Sequence, residues 1–305
     1  MRKTILFILI VFLSVQLNAQ KEGFAESTGV KIYYRTFGSG VPVLIINGGP
    51  GLNSDGFEDL AKTLSLHNQT VIYDQRGTGK SVLKKTDTLT VTMQLMVDDI
   101  ENLRKQLHIQ KWIILGHSFG GMLASFYATR HPESILAMIL SSSGGIDLDL
   151  LSYVSNSINS KLTPTQIDSV NYWNQKISGG DTSYFAKLQR AKILANAYVF
   201  DKKYAPTIAI RLTQGNMQIN GLIWQDMQKI KFNCAGKLSL FKKPVLIIQG
   251  KQDIVAEKTA QKAHKILKNS TVILLDHSVH YGWLDNRKKY LTTVENFITA
   301  NYNSL

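Results

Sequence analysis

The sequence predicts an α/β architecture, a mostly parallel, doubly wound sheet with an inserted helical cap, and three observations carry that reading. Short, continuous apolar runs bounded by turn residues recur along the chain, as parallel strands buried on both faces require. Between them lie stretches with apolar residues at helical spacing, so strand and helix alternate. The alternation stops between Ile146 and Gly236, in a stretch rich in Ser, Asn, Gln, Lys and Tyr, and resumes at Pro244.

The chain opens on MRKTILFILIVFLSVQLNAQ, with Arg2 and Lys3, an apolar run from Ile5 to Val15, and small and polar residues around Ala19. This is the pattern of an export signal over residues 1–20. The run is shorter than the roughly 20 apolar residues a spanning helix needs. The mature protein is therefore expected to be periplasmic or secreted, with no stable membrane span. The predicted strands follow as VPVLIIN, TVIYD, KWIIL, ILAMILSSS, VLIIQG and TVILLD; the helices between them include MQLMVDDIENLRKQL, MLASFYATRHPE and AEKTAQKAHKILKN. Residues 21–145 and 237–305 form the expected core, and residues 146–236 the cap. A cap so inserted is expected over the carboxyl edge of the sheet, where open α/β folds bind ligands.

A hydrophobic content of 44% and a charged content of 19% are those of a globular protein. Cys234 is the only cysteine, so the fold is expected to stand without an internal disulfide, with Cys234 a small core residue. The net charge of +13 raises nucleic acid or anionic surfaces as partners. The lysines are dispersed, however, with no aromatic interleaving, and read as solvated helix faces; no nucleic acid partner is expected.

The chemistry centres on LGHSFGG. Gly116, Ser118 and Gly120 form G-x-S-x-G after a strand and before a helix, the setting in which a serine is held out on a strained turn as a nucleophile. A serine hydroxyl needs a base, and the base needs an acid to hold it in one tautomer. Beyond VLIIQG comes Asp253, and beyond TVILLD come His277 and His280. His280 is the expected base, with His277 the alternative; Asp253 is the expected acid, with Asp147, after an earlier strand, its rival. Acyl transfer also needs donors for the oxyanion, and NGGPG, residues 47–51, supplies a glycine loop after VPVLII. The N–H groups of Gly49 and of Phe119 are the expected pair.

Two other patterns fail on inspection, and a further residue has a structural reading. GTGKS ends like a phosphate-binding P-loop, but the first glycine of that motif falls on Asp74. Asp276, His277 and His280 are accompanied by no H-E-x-x-H and no cysteine ligand set, so neither a metal nor a cofactor is expected. Arg76, in DQRGTGKS, is expected to brace its loop by ion pairing.

GVKIYYRTFGSGVPVLIINGGPG, IYDQRGTGKS, DDIENLRKQLHIQKWIILGHSFGG, IIQGKQDIV and HSVHYGWLD together resemble the α/β-hydrolase superfamily and, within it, the proline iminopeptidase-like serine peptidases. The resemblance implies the α/β-hydrolase fold and a serine hydrolase acting through an acyl-enzyme, with Ser118 as nucleophile, Asp253 as acid, His280 as base, and Gly49 and Phe119 at the oxyanion. It implies aminopeptidase action on short peptides. Two departures stand out. Asn47 occupies the place of the family's histidine before GGPG, where its side chain is expected to brace the loop. ANAYVF puts Ala195 where the family carries a cap glutamate for the substrate's amino terminus, leaving Asp168, Asp181, Asp201 and Asp226 as substitutes. A carboxylesterase, or a ligand receptor on a hydrolase fold, are the alternatives. The cap aromatics Tyr153, Tyr172, Trp173, Tyr184, Tyr198 and Trp224 are pocket or cap-core candidates. Serine at position 118 disfavours epoxide hydrolase and dehalogenase chemistry, which want a carboxylate there.

Overall fold

A computed structural model describes residues 20–302, so residues 1–19 of the expected export signal lie outside the described residues. One sheet holds β1 (Lys21–Ser27), β2 (Val30–Phe37), β3 (Val41–Ile46), β4 (Asn68–Tyr73), β5 (Trp112–His117), β6 (Ile135–Ser141), β7 (Val245–Gly250) and β8 (Ser270–Leu275). Their spatial order is β1-β2-β4-β3-β5-β6-β7-β8. The β1–β2 and β2–β4 pairs are antiparallel and the rest are parallel.

The apolar runs are continuous because both faces of the central strands are covered. Every residue of β5, β6 and β7 is buried. Successive side chains alternate between faces: Leu44 and Ile46 of β3 join one core cluster with Ile114 and Ile247, while Val43 and Ile45 join the other with Ile113 and Leu246. Helix α1 (Glu58–Leu64) covers the second face, and α2 (Met93–Gln106) and α3 (Phe119–Ala128) cover the first.

Between β6 and β7 the chain is helical: α4 (Val154–Asn159), α5 (Pro164–Ser178), α6 (Tyr184–Leu194), α7 (Ala205–Thr213), α8 (Met217–Lys229) and α9 (Ala235–Leu238). Its two ends meet, with Asp147 bridged to Asn233 and the Cys234 N–H bonded to the Ile146 carbonyl at 2.8 Å. Helix α5 starts at a capping box, Thr163 with Gln166, and has Pro164 in its first turn. The insertion is tied to the main core at several points, through Ala191 of α6, Ile208 and Ala209 of α7, and Ile219, Ile223 and Met227 of α8, whereas Leu162, Val170 and Ala197 form a small cluster of their own. Helices α10 (Glu257–Ile266), α11 (Gly282–Asp285) and α12 (Arg287–Tyr302) complete the chain. Among the described residues no helix is long and apolar enough to cross a membrane.

Candidate active site

Because β3, β5, β7 and β8 are parallel, the segments that follow them emerge at one edge of the sheet. Those segments carry Asn47 to Gly51, Ser118, Asp253 and His280. Ser118 has φ 55° and ψ −122°, a left-handed setting that side chains avoid unless the surroundings impose it. Three hydrogen bonds impose it: Ser118 N–H donates to the Ser141 carbonyl at 3.1 Å, and Gly121 and Gly144 N–H donate to the Ser118 carbonyl at 2.9 and 3.0 Å. The flanking glycines are steric necessities, since a Cβ on Gly120 would collide with the Ile46 carbonyl and one on Gly116 with the Gly120 carbonyl. Ser118 is half-buried where the whole of β5 before it is buried, so the turn lifts its side chain out of the core.

The structure brings His280 and Asp253 together. His280 Nδ1 lies 2.8 Å from Asp253 Oδ1, both side chains being almost wholly buried. A carboxylate accepts, so Nδ1 carries the proton and Nε2 is left as the basic nitrogen. Asp253 Oδ1 also accepts from Val255 N–H at 3.1 Å, and His280 N–H is held by the Tyr198 carbonyl at 3.0 Å. The His280 ring sits 4.6 Å, centroid to centroid, from the ring of His117, which directly precedes Ser118. Among the described residues no hydrogen bond joins Ser118 Oγ to His280. The two rivals are engaged elsewhere. Asp147 pairs with Lys262 at 2.5 Å and caps Asp149 N–H; His277 is exposed and packs edge-on against Phe200.

The NGGPG loop lies against this turn: a Cβ on Gly48 would fall 2.9 Å from Ser118 Cβ. Neither Gly49 N–H nor Phe119 N–H donates a hydrogen bond within the described residues, which leaves both as candidate oxyanion donors. Asn47 braces the loop as expected, its Nδ2 donating to the Gly48 and Leu52 carbonyls at 2.9 Å each. The DQRGTGKS segment is fastened to the same loop. Gln75 Nε2 donates to the Asn47 carbonyl at 2.9 Å, and Asp74 Oδ1 accepts from Ser54 N–H and Oγ. Arg76 forms a buried two-pronged pair with Asp99 of α2, at 2.6 and 2.7 Å. Burial pushes the Asp99 carboxyl above its ordinary pKa against the pull of Arg76.

Two residues of this site carry no local sequence signal. His117 is fully buried, with neither ring nitrogen bonded among the described residues, and is packed against His280, Tyr281, Trp283 and Phe57. Burial, then His280 and Arg211, hold its pKa well below the ordinary histidine value. Arg211, on α7, is buried and donates to the Gly48 and Asn53 carbonyls at 3.2 and 3.3 Å, with Phe57 under its guanidinium at 4.7 Å.

The four cap acids are each turned to other work or to solvent. Asp181 caps Ser183 N–H, Asp201 pairs with Lys203 at 2.7 Å, Asp226 accepts from Met93 N–H at 2.8 Å, and Asp168 is exposed. Ala195 is buried in a short turn, Ala195–Ala197. Tyr198 faces the His280 ring at 5.6 Å, while Trp173 packs with Tyr172 and Phe185. A cavity of about 520 Å³ lies instead on the flank among α2, α3 and α8, lined by Thr92, Phe126, Arg130, Asp226 and Lys231. It contains none of the converging residues, so convergence of side chains rather than concavity locates the site. Among the described residues no group of three His, Cys, Asp or Glu is placed to hold a metal.

Comparison with known proteins extends the match beyond the site. A proline iminopeptidase of Saccharolobus solfataricus is 27% identical over 312 residues, spanning 92% of this chain and 93% of that protein. Among solved structures, an esterase from Exiguobacterium antarcticum aligns with a TM-score of 0.70 at 20% identity, over 90% of this chain and 98% of its own. A proline iminopeptidase of Mycobacterium smegmatis aligns with a TM-score of 0.66 at 18% identity, over 92% and 98%. The family model described as alpha/beta hydrolase fold matches residues 41–286, from β3 to the end of α11. With that sheet order, the serine turn after β5 and a family match over most of its length, the chain belongs to the α/β-hydrolase fold family.

Proposed function

We propose that the protein is a serine hydrolase in which Ser118, His280 and Asp253 act as nucleophile, base and acid on small substrates. The observation that carries the proposal is the strained Ser118 turn, whose preceding residue His117 packs at 4.6 Å against the ring of a histidine whose Nδ1 is held by a buried carboxylate. His280 Nε2 takes the Ser118 proton as Oγ attacks the substrate carbonyl, and the N–H groups of Gly49 and Phe119 receive the oxyanion. The proton passes from His280 to the leaving group, giving an acyl-enzyme. His280 then deprotonates a water, which attacks the acyl carbon and releases Ser118. Asp253 holds the tautomer and steadies the imidazolium. The export signal of residues 1–20 would place this activity outside the cytoplasm.

Aminopeptidase action on short peptides, with an amino-terminal proline as the leading case, is supported by proline iminopeptidases that match over nine-tenths of this chain. A carboxylesterase is the second reading, and the charges of the cap favour it. A peptide's ammonium needs a carboxylate once desolvated. No cap acid named above turns to the site; Lys161, within electrostatic reach of Asp253, and Arg190, bonded through Nε to Asn174 at 2.5 Å, have no carboxylate partner among the described residues. Three substrates separate the readings: proline para-nitroanilide, its N-acetylated form and para-nitrophenyl acetate, each with the wild type and Ser118→Ala. Anilide cleavage lost on acetylation establishes recognition of a free amine; ester cleavage without anilide cleavage removes the peptidase reading.

A further inference from the structure

We propose that Arg211 is a positioning residue for the oxyanion hole, and that the α7–α8 half of the cap is the frame on which that hole is built. This rests on the serine hydrolase reading above.

The carbonyls of the loop after β3 are nearly all taken, and the cap supplies most of the donors. Arg211 Nη2 and Nη1 hold the Gly48 and Asn53 carbonyls, Asn220 Nδ2 holds Pro50 at 2.9 Å, and Asn216 N–H holds Gly51 at 2.8 Å. Asn47 adds its own bonds to Gly48 and Leu52. The loop is thus suspended from α7 and α8 by its oxygen atoms. In a planar trans peptide the carbonyl of one residue and the N–H of the next point opposite ways. Fixing the Gly48 oxygen toward Arg211 therefore aims the Gly49 N–H away from the cap helix. On the Ser118 side, Gly48 has no side chain to intervene. Hydrogen bonds to a carbonyl also polarise its peptide, strengthening the N–H at the other end.

Arg211 is a costly residue for a role in packing alone. A buried cation without a carboxylate partner carries a desolvation penalty that an apolar side chain would avoid. Arg211 is 3% exposed, and among the described residues its Nε has no partner and its hydrogen bonds all go to this loop. The penalty is offset only if the loop's geometry matters. The apolar residues of the anchoring helices, Ile208 and Ala209 of α7 and Ile219, Ile223 and Met227 of α8, are buried in the main core, which fixes the frame to the sheet.

The test compares Arg211→Met, Arg211→Lys and Asn220→Ala with wild type on para-nitrophenyl acetate, and follows amide hydrogen exchange of residues 47–53 in the free proteins. Loss of a donor outright costs about 10²- to 10³-fold in kcat, so a misaimed one is expected to cost about 10- to 100-fold in Arg211→Met, with KM within about threefold. Arg211→Lys, which keeps one donor to Gly48, should recover most of that loss, and phosphonate inactivation should slow in parallel with kcat. Loop exchange should quicken in Arg211→Met. A folded Arg211→Met with kcat within about threefold of wild type, or with its whole loss in KM, overturns the proposal. Should Arg211→Met not fold, Asn220→Ala decides: a several-fold lower kcat at unchanged KM supports it, and unchanged kcat overturns it. A wild type inert to ester and phosphonate would instead overturn the hydrolase reading; loop exchange then still tests the positioning, and exchange unchanged by Arg211→Met overturns it.

Discussion

Asp253 and Asp147 are both carboxylates beyond strand ends, and what each already holds tells them apart. Asp147 is neutralised by Lys262 and spends its other oxygen on a backbone turn, whereas Asp253 faces His280 Nδ1 and, among the described residues, pairs with no lysine or arginine. Asp253→Asn is expected to lower kcat about 10³- to 10⁴-fold, as loss of the tautomer-fixing acid does, with Asp147→Asn within about threefold of wild type on the same ester. Equal losses would contradict this assignment. His117 gives a second expectation, in stability. Its folded pKa lies well below the ordinary value of about 6.5, so between the two the unfolded chain binds a proton that the folded protein does not. The stability this represents is whole above about pH 6.5 and is lost as pH falls toward the folded value, at up to about 1.4 kcal/mol per pH unit. His117→Leu should flatten that decline between pH 7.5 and 5 in urea unfolding; an unchanged slope would show that His117 is not the group concerned.

Among the elements, the central strands were legible because burial on both faces leaves no polar position, and VLIIQG or KWIIL then has one reading. The β1–β2 hairpin was not. Ala25 is the one buried residue of β1, whose Lys21, Glu22 and Glu26 suit an exposed edge and hide the apolar signal. Helix α12 was legible in principle, through Tyr290, Val294 and Ile298 at four-residue spacing. The serine turn was read from its glycines, and the structure gives the reason at Gly120, where α3 meets the end of β3. Gly120→Ala is expected to destabilise the protein by about 3 kcal/mol or more, since the obstacle is a backbone carbonyl and cannot rotate away. A change under about 0.5 kcal/mol in urea unfolding would mean that the turn has slack the structure does not suggest.

At the scale of the molecule, order along the chain says which strand end each residue follows, and parallel pairing turns that into convergence at one rim. That is why Ser118, Asp253, His280 and the NGGPG loop could be assembled from sequence, and why Arg76 could be read as a brace before its partner Asp99 was known. The cap was legible only as a helical insertion. Which of its charges face the rim depends on how six short helices pack, and no local pattern encodes that; Arg211, Lys161 and Arg190 emerged from the packing alone. Catalysis by Ser118 through His280 is the claim on which the rest depends. Mass spectrometry of the protein treated with a fluorophosphonate tests it most directly. The account predicts stoichiometric labelling on the peptide containing Ser118, abolished in Ser118→Ala and slowed by at least about 10²-fold in His280→Ala. Folded wild type that stays unlabelled, or that labels equally fast without His280, would contradict it.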